Sequence, residues 1–114
     1  MPFIKNPYVG KSLKKREDLV REKIENGKIV LSVFLIAYPE GENNQLEIFD
    51  ALYLQNAFIK ARQPVIIGMA GSRYEAMEMV RTLAKRAFEV TGSYDIRKYL
   101  LRKEAHRGCN PDHS

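Results

Sequence analysis

A chain of 114 residues, 45% hydrophobic and 29% charged, has the make-up of one globular domain with a core of modest size. No apolar run approaches the ~20 residues of a membrane span, and Met1-Pro2-Phe3-Ile4-Lys5 lacks the apolar stretch of a secretory signal. The single cysteine, Cys109, excludes an internal disulfide, so a cytoplasmic protein with no membrane partner is expected; a net charge of +5 leaves polyanions open as partners.

Residues 1–11 are expected to form an extended arm. Pro2 and Pro7 oppose helix, and Gly10 stands just ahead of the first helical signal. Ser12 is a candidate N-cap for a surface helix over residues 13–25, where Leu13, Val20 and Ile24 share a narrow apolar stripe. Asn26-Gly27 supplies the stop.

Residues 28–38 alternate as one long strand. Ile29, Leu31, Val33, Leu35 and Ala37 fall on one face, and Val30, Phe34, Ile36 and Tyr38 on the other. Two apolar faces predict a central strand, or one whose second face meets a partner. Residues 39–45 read as a turn, and residues 46–54 as a second strand antiparallel to the first. An irregular or short helical link is expected up to Gln63, since Ala57 and Ala61 lean toward helix.

Pro64 then introduces a short buried strand at Val65-Ile66-Ile67, with Gly68 and Gly71 in the turn that follows. Ser72-Arg73-Tyr74-Glu75 has the spacing of a capping box. Behind it Ala76, Met77, Val80, Leu83, Ala84, Ala87 and Phe88 recur at helical steps, which predicts a helix over residues 73–90 that ends at Thr91-Gly92. Ser93 is expected to cap a last helix over residues 94–103, with Ile96, Tyr99 and Leu100 inward. The chain thus divides into an arm (1–11), a single α+β domain (12–103) and a flexible polar tail (104–114). The order α-β-β-β-α-α predicts an α+β fold in which helices cover a three-stranded antiparallel sheet.

Two RNA-binding families share pieces of this pattern. The order helix, three strands, helix resembles the double-stranded-RNA-binding domain. Ser72, Arg73, Glu75 and Ala76 are similar to the Ser-Lys-Lys-x-Ala-Lys opening of its last helix. Tyr74 and Met77 stand at two of the three positions that would grip phosphates, and the family's Gly-Pro-x-His loop is absent from the sequence. Gly68-x-x-Gly71 is similar to the loop of a KH domain, which joins two helices, whereas a strand is predicted ahead of it here.

Chemistry has few candidates. Gly68-Met69-Ala70-Gly71-Ser72 links a strand to a helix but lacks the Lys of a P-loop and the third glycine of a dinucleotide fingerprint. His106, Cys109, Asp112 and His113 crowd the tail in the manner of zinc ligands, with no second cluster in the sequence to close a structural site. Glu47 and Asp50 read as surface acids. No catalytic residue, cofactor or metal is therefore expected.

Binding remains. The first reading is a small non-enzymatic module acting through a protein partner or self-association, with Val30, Phe34, Ile36 and Tyr38 as the interface on an uncovered sheet face. The second is a nucleic-acid-binding accessory protein. Residues 1–27 carry seven Lys or Arg against four acids, and residues 61–114 ten against six. Lys14, Lys15 and Arg16 would join Arg97, Lys98, Arg102 and Lys103 in one phosphate-contacting patch. A third reading is a small enzyme or nucleotide binder using the turn from Gly68 to Ser72.

Overall fold

Among the described residues, four strands form one mixed sheet. They are β1 (Phe3–Val9), β2 (Phe34–Ala37), β3 (Glu47–Asp50) and β4 (Ile66–Ala70), in the order β1-β4-β2-β3. β2 runs antiparallel to β3 and β4, while β1 runs parallel to β4. The helices are α1 (Glu17–Glu25), α2 (Ala57–Ala61), α3 (Arg73–Thr91) and α4 (Ile96–Cys109), with 3-10 helices at Lys11–Arg16 and Ala51–Gln55. The computed structural model describes residues 3–38, 46–62 and 64–109.

The α+β class is the expected one, but the sheet and the element order are not. The arm is a strand. Phe3 and Ile4 fall on opposite faces, as do Tyr8 and Val9, so β1 adds apolar side chains to both sides of the sheet. Phe3 is opposite Ile66 and Tyr8 opposite Gly68, so the ladder shifts register in between. Pro7 lies in that shift, where its missing N–H costs no ladder bond, and β1 is an edge strand, where proline is tolerated.

The long strand expected over residues 28–38 is broken. The chain bends at Leu31 and Ser32, and Ser32 takes a left-handed φ of 59°. Alternation fails across that bend. Val30 and Val33 are both buried, while Ile29 and Leu31 are 61% and 69% exposed. The expected strand 46–54 likewise ends at Asp50, whose carboxylate accepts the Leu52 N–H at 2.9 Å and starts a 3-10 helix. Asn56 then caps α2, accepting from Phe58 N and Ile59 N.

β4 is longer than expected. It runs through Gly68 to Ala70, with Ile67 as the extra residue of a bulge opposite Ile36 and Ala37. A Cβ on Gly68 would lie 3.1 Å from the Tyr8 carbonyl oxygen and 3.3 Å from Ile36 Cδ1, so glycine lets β1 and β2 close on β4.

Helices cover both faces. On one, Leu13, Val20 and Ile24 pack with Leu35, Ala37, Ile66 and Met69, alongside Ala51 and Leu54. On the other, Ala76, Leu83 and Ala87 of α3 and Ile96, Tyr99 and Leu100 of α4 pack with Ile36, Ile67 and Ala70. Each fully buried aliphatic side chain contributes about 1.5–3 kcal/mol through water exclusion, so the sheet interior dominates the stability. α3 ends as expected at Gly92, in the left-handed conformation at φ 76°, with its N–H on the Phe88 carbonyl. α4 differs at both ends from the helix expected over residues 94–103. Asp95 caps it, accepting from Lys98 N at 3.0 Å, and it continues to Cys109. Ser93 instead accepts the Asp95 N–H.

The two family resemblances find little support in this architecture. The chain leads with a strand, and Gly68 lies inside β4 rather than between helices.

Candidate functional site

The parallel strands β1 and β4 send their following helices to opposite faces of the sheet. Where adjacent parallel strands diverge in this way, a crevice opens beyond their carboxyl ends. Gly10 and Gly71 line it, and Glu75 fills it. Its Oε1 accepts the Gly71 N–H at 2.7 Å and the Ser12 hydroxyl at 2.7 Å, and its Oε2 accepts the Ser12 N–H at 3.2 Å. Side chains on Gly10 or Gly71 would collide with Glu75 and Ser12.

The capping box is therefore half formed. Ser72 Oγ accepts the Glu75 N–H at 3.0 Å as expected, but the Glu75 carboxylate turns to Gly71 and Ser12 instead of Ser72 N. Ser12, expected as the N-cap of the first helix, is that carboxylate's partner, and Gly10 takes the N-cap position. Burial pushes the Glu75 carboxyl upward, but the bonds from Gly71 and Ser12 outweigh it and hold the group below the ordinary carboxylate range. The chain's own carboxylate thus stands at the amide of Gly71, in the turn considered as a phosphate cradle.

Beside this latch a groove of about 690 Å³ runs between the end of β1 and one side of α3. Pro7, Val9, Met79 and Leu83 form its apolar wall. Lys11, Lys14 and Arg86 stand around it, with the Tyr8 and Thr82 hydroxyl-bearing side chains between them. Two carboxylates also face it, and both are engaged. Glu75 is held as described, and Glu78 accepts from Arg81 at 2.9 Å. Among the described residues Lys11, Lys14 and Arg86 have no ion-pair partner.

The seven cations expected in one patch are divided. Lys14, Lys15 and Arg16 lie on the 3-10 helix before α1, on the side of Leu13 and Leu35. Arg97, Lys98, Arg102 and Lys103 lie on α4, across the sheet. Arg97 sits over the Tyr38 ring at 5.3 Å, near the end of β2. Lys14 and Lys103 nevertheless share the neighbour Tyr8. Lys14 shares the groove with Tyr8, and Lys103 Nζ donates to the Tyr8 hydroxyl at 3.3 Å.

The uncovered sheet face expected at Val30, Phe34, Ile36 and Tyr38 is covered by the chain itself. Ile36 is fully buried, and Arg73 lies over the half-buried Phe34 ring at 5.1 Å. Val30 belongs to the opposite cluster, because the bend at Leu31 and Ser32 reverses its face. Asp112 and His113 of the tail lie outside the described residues, as do the side chains of His106 and Cys109. Among the described residues no group of three His, Cys, Asp or Glu could hold a metal, and no helix is long and apolar enough to cross a membrane.

Sequence reasoning missed one apolar surface. Tyr74, Met77 and Phe88 line the outer side of α3, and they are 73%, 48% and 46% exposed. Tyr94 extends the line, its ring stacked on Phe88 with centroids 4.6 Å apart. Met77 and Phe88 were expected on the buried face. Their positions are next to Ala84 on the helix surface, but the sheet takes the side of Ala76, Leu83 and Ala87. Comparison with protein-family models, with curated proteins and with solved structures found no match for this chain.

Proposed function

We propose that this domain is a non-enzymatic interaction module, and that its docking face is the outer side of α3, where it meets a second copy of the same chain. The observation that carries the reading is the exposed line of Tyr74, Met77 and Phe88, extended by the stacked Tyr94. Single exposed apolar residues are ordinary, but here Tyr74 and Met77 stand near one end of α3 and the stacked Phe88 and Tyr94 near the other, on either side of Arg81. The four side chains offer roughly 500 Å² per copy, since a large aromatic presents about 150–250 Å² when fully exposed. That falls short of the ~800 Å² per partner of a stable complex, which makes the association weak and reversible. An isologous contact with the α3 helices antiparallel about Arg81 puts Tyr74 of one copy opposite Phe88 of the other. The Arg81–Glu78 bridge within each copy offsets the repulsion between the two arginines.

The reading shifts the interface from β2 to α3. The phosphate-backbone alternative loses its geometric support, because its two clusters lie over opposite faces of the sheet. A dilution series on isotopically labelled protein tests the proposal. The amide signals of Tyr74, Met77 and Phe88 should move with concentration into the millimolar range, and Phe88→Glu should abolish the movement while keeping the melting temperature close to that of the parent. Concentration-independent signals along α3 would end the case for self-association.

A further inference from the structure

We propose that the groove between β1 and α3 is a binding site for a small phosphorylated molecule. Its phosphoryl end would lie among Lys11, Lys14 and Arg86, and its apolar body against Pro7, Val9, Met79 and Leu83. Its lining residues Glu75, Thr82 and Arg86 follow a different side of α3 from Met77 and Phe88, and Glu78, bridged to Arg81, lies between the two.

Three observations carry the assignment. The first is volume. About 690 Å³ lies in the range of small-molecule sites, roughly 300–1,000 Å³, and exceeds what one ion would need. The second is excess positive charge. The lining carries Lys11, Lys14 and Arg86 against the carboxylates of Glu75 and Glu78. Glu75 gives its oxygens to Gly71 and Ser12, and Glu78 is bridged to Arg81, so among the described residues the three cations have no direct ion-pair partner. A single carboxylate would answer only one of these three cations. A phosphate monoester carries about −1.5 to −2 near neutral pH, and a diphosphate more, which suits a groove with an excess of cations. The third is the mixed lining. Apolar side chains of β1 and α3 stand in the same groove as cations from the chain after β1 and from α3. That combination suits a ligand with both charged and apolar parts. Thr82 Oγ1 donates to the Glu78 carbonyl at 3.0 Å, which leaves the hydroxyl acceptor capacity for a ligand hydroxyl.

The site also differs from a helix-terminus cradle, since Glu75 occupies the crevice next to it. The ligand is held by side chains, and its affinity should fall as salt screens these exposed charges.

The test is a titration of isotopically labelled full-length protein at low salt with ADP, inorganic pyrophosphate, adenosine and citrate. ADP and pyrophosphate should move the signals of Lys14, Thr82 and Arg86, with ADP also moving Val9 and Met79. Adenosine alone should bind far more weakly than ADP. Lys14→Gln and Arg86→Gln should each weaken ADP by roughly fivefold or more. Lys98→Gln, on α4, should leave the affinity unchanged, and all three variants should keep the parent circular dichroism and melting temperature. The proposal is overturned if millimolar pyrophosphate leaves the groove signals in place. It is equally overturned if citrate binds as tightly as pyrophosphate, or if Lys98→Gln weakens ADP as much as Arg86→Gln does, which would mark general attraction to a basic surface.

Discussion

Replacing Glu75 should expose how much of the fold depends on one carboxylate. Two of its three hydrogen bonds join the start of α3 to Ser12 in the 3-10 helix, 63 residues away in sequence, and the third holds the Gly71 N–H in the turn before α3. Hydrogen bonds to a charged acceptor contribute about 1.5–3 kcal/mol each when well shielded. Here Ser12 is exposed, so solvent screening takes a large share. We expect Glu75→Ala to cost about 2–3 kcal/mol in total, or a melting temperature lower by roughly 8–12 °C for a domain of this size. Glu75→Gln separates charge from shape. Its amide oxygen can keep the Gly71 and Ser12 hydroxyl bonds, both of which reach Oε1, but its NH₂ would face the Ser12 N–H that Oε2 now accepts. That donor-against-donor contact and the lost charge should cost about 1–2 kcal/mol.

The pH dependence has a definite sign. The folded-state carboxyl is held below its unfolded value, so its contribution is fully present above the unfolded value, about pH 4.3, and is lost as pH falls through the folded one. The gap in melting temperature between the parent and Glu75→Gln should be constant from neutral pH to about pH 5.5 and should shrink below about pH 4. Thermal melts followed by circular dichroism at closely spaced pH values measure this. A Glu75→Gln protein that melts with the parent at neutral pH, or a gap unchanged at acid pH, would refute the latch.

Further substitutions test the packing and the turns. Val80→Asp places a charge on the half-buried side of α3 that faces the Ile36 cluster, and chemical denaturation should show a loss of about 2–3 kcal/mol. Gly68→Ala should cost about 1–3 kcal/mol, because the new methyl meets the Tyr8 carbonyl and Ile36 where three strands are closest. At Gly92 a methyl group has open space, so Gly92→Ala tests backbone strain alone at φ 76°. Its cost should be about 1 kcal/mol, and less for Gly92→Asn. Asn56→Ala removes the acceptor for Phe58 N and Ile59 N and should cost about 1 kcal/mol in urea melts.

Local chemistry made α3 legible. Ser72 and Gly92 announce its ends, and the periodic alanines announce its buried side. What the pattern could not resolve was a rotation of some tens of degrees, which put Met77 and Phe88 outside and kept Ala87 in. Alternation over residues 28–38 was real, but it carries no sign of a single residue with positive φ, and Ser32 breaks the strand there. Signals for the short elements were present in Asp50 and Asn56, both good caps, and were outweighed by the apolar residues around them. β1 was the hardest to see. Its partner β4 lies about sixty residues away, and parallel pairing leaves no turn signal between the strands.

The same non-locality hid the site. Ser12 and Glu75 each have a local explanation as capping residues, and in each case the side chain takes a distant partner instead. Once they meet, the crevice where diverging parallel strands can receive an anion already holds one. The sheet offers no alternative, since Ile36, Ile67 and Ala70 are sealed under α3 and α4 and Leu35, Ile66 and Met69 under the opposite layer. Both contacts proposed above therefore lie on the two sides of α3 that the sheet does not take. One side carries Tyr74, Met77 and Phe88. The other carries Arg86 toward Lys11 and Lys14. Because Glu75 ties the start of α3 to the residues just after β1, it also sets the distance between Arg86 and the two lysines. Glu75→Ala should therefore weaken pyrophosphate binding in the groove even though it removes a negative charge from the lining. If that variant stays folded and binds pyrophosphate more tightly, the carboxylate acts on the groove only as a repelling charge and not as the support that spaces its cations.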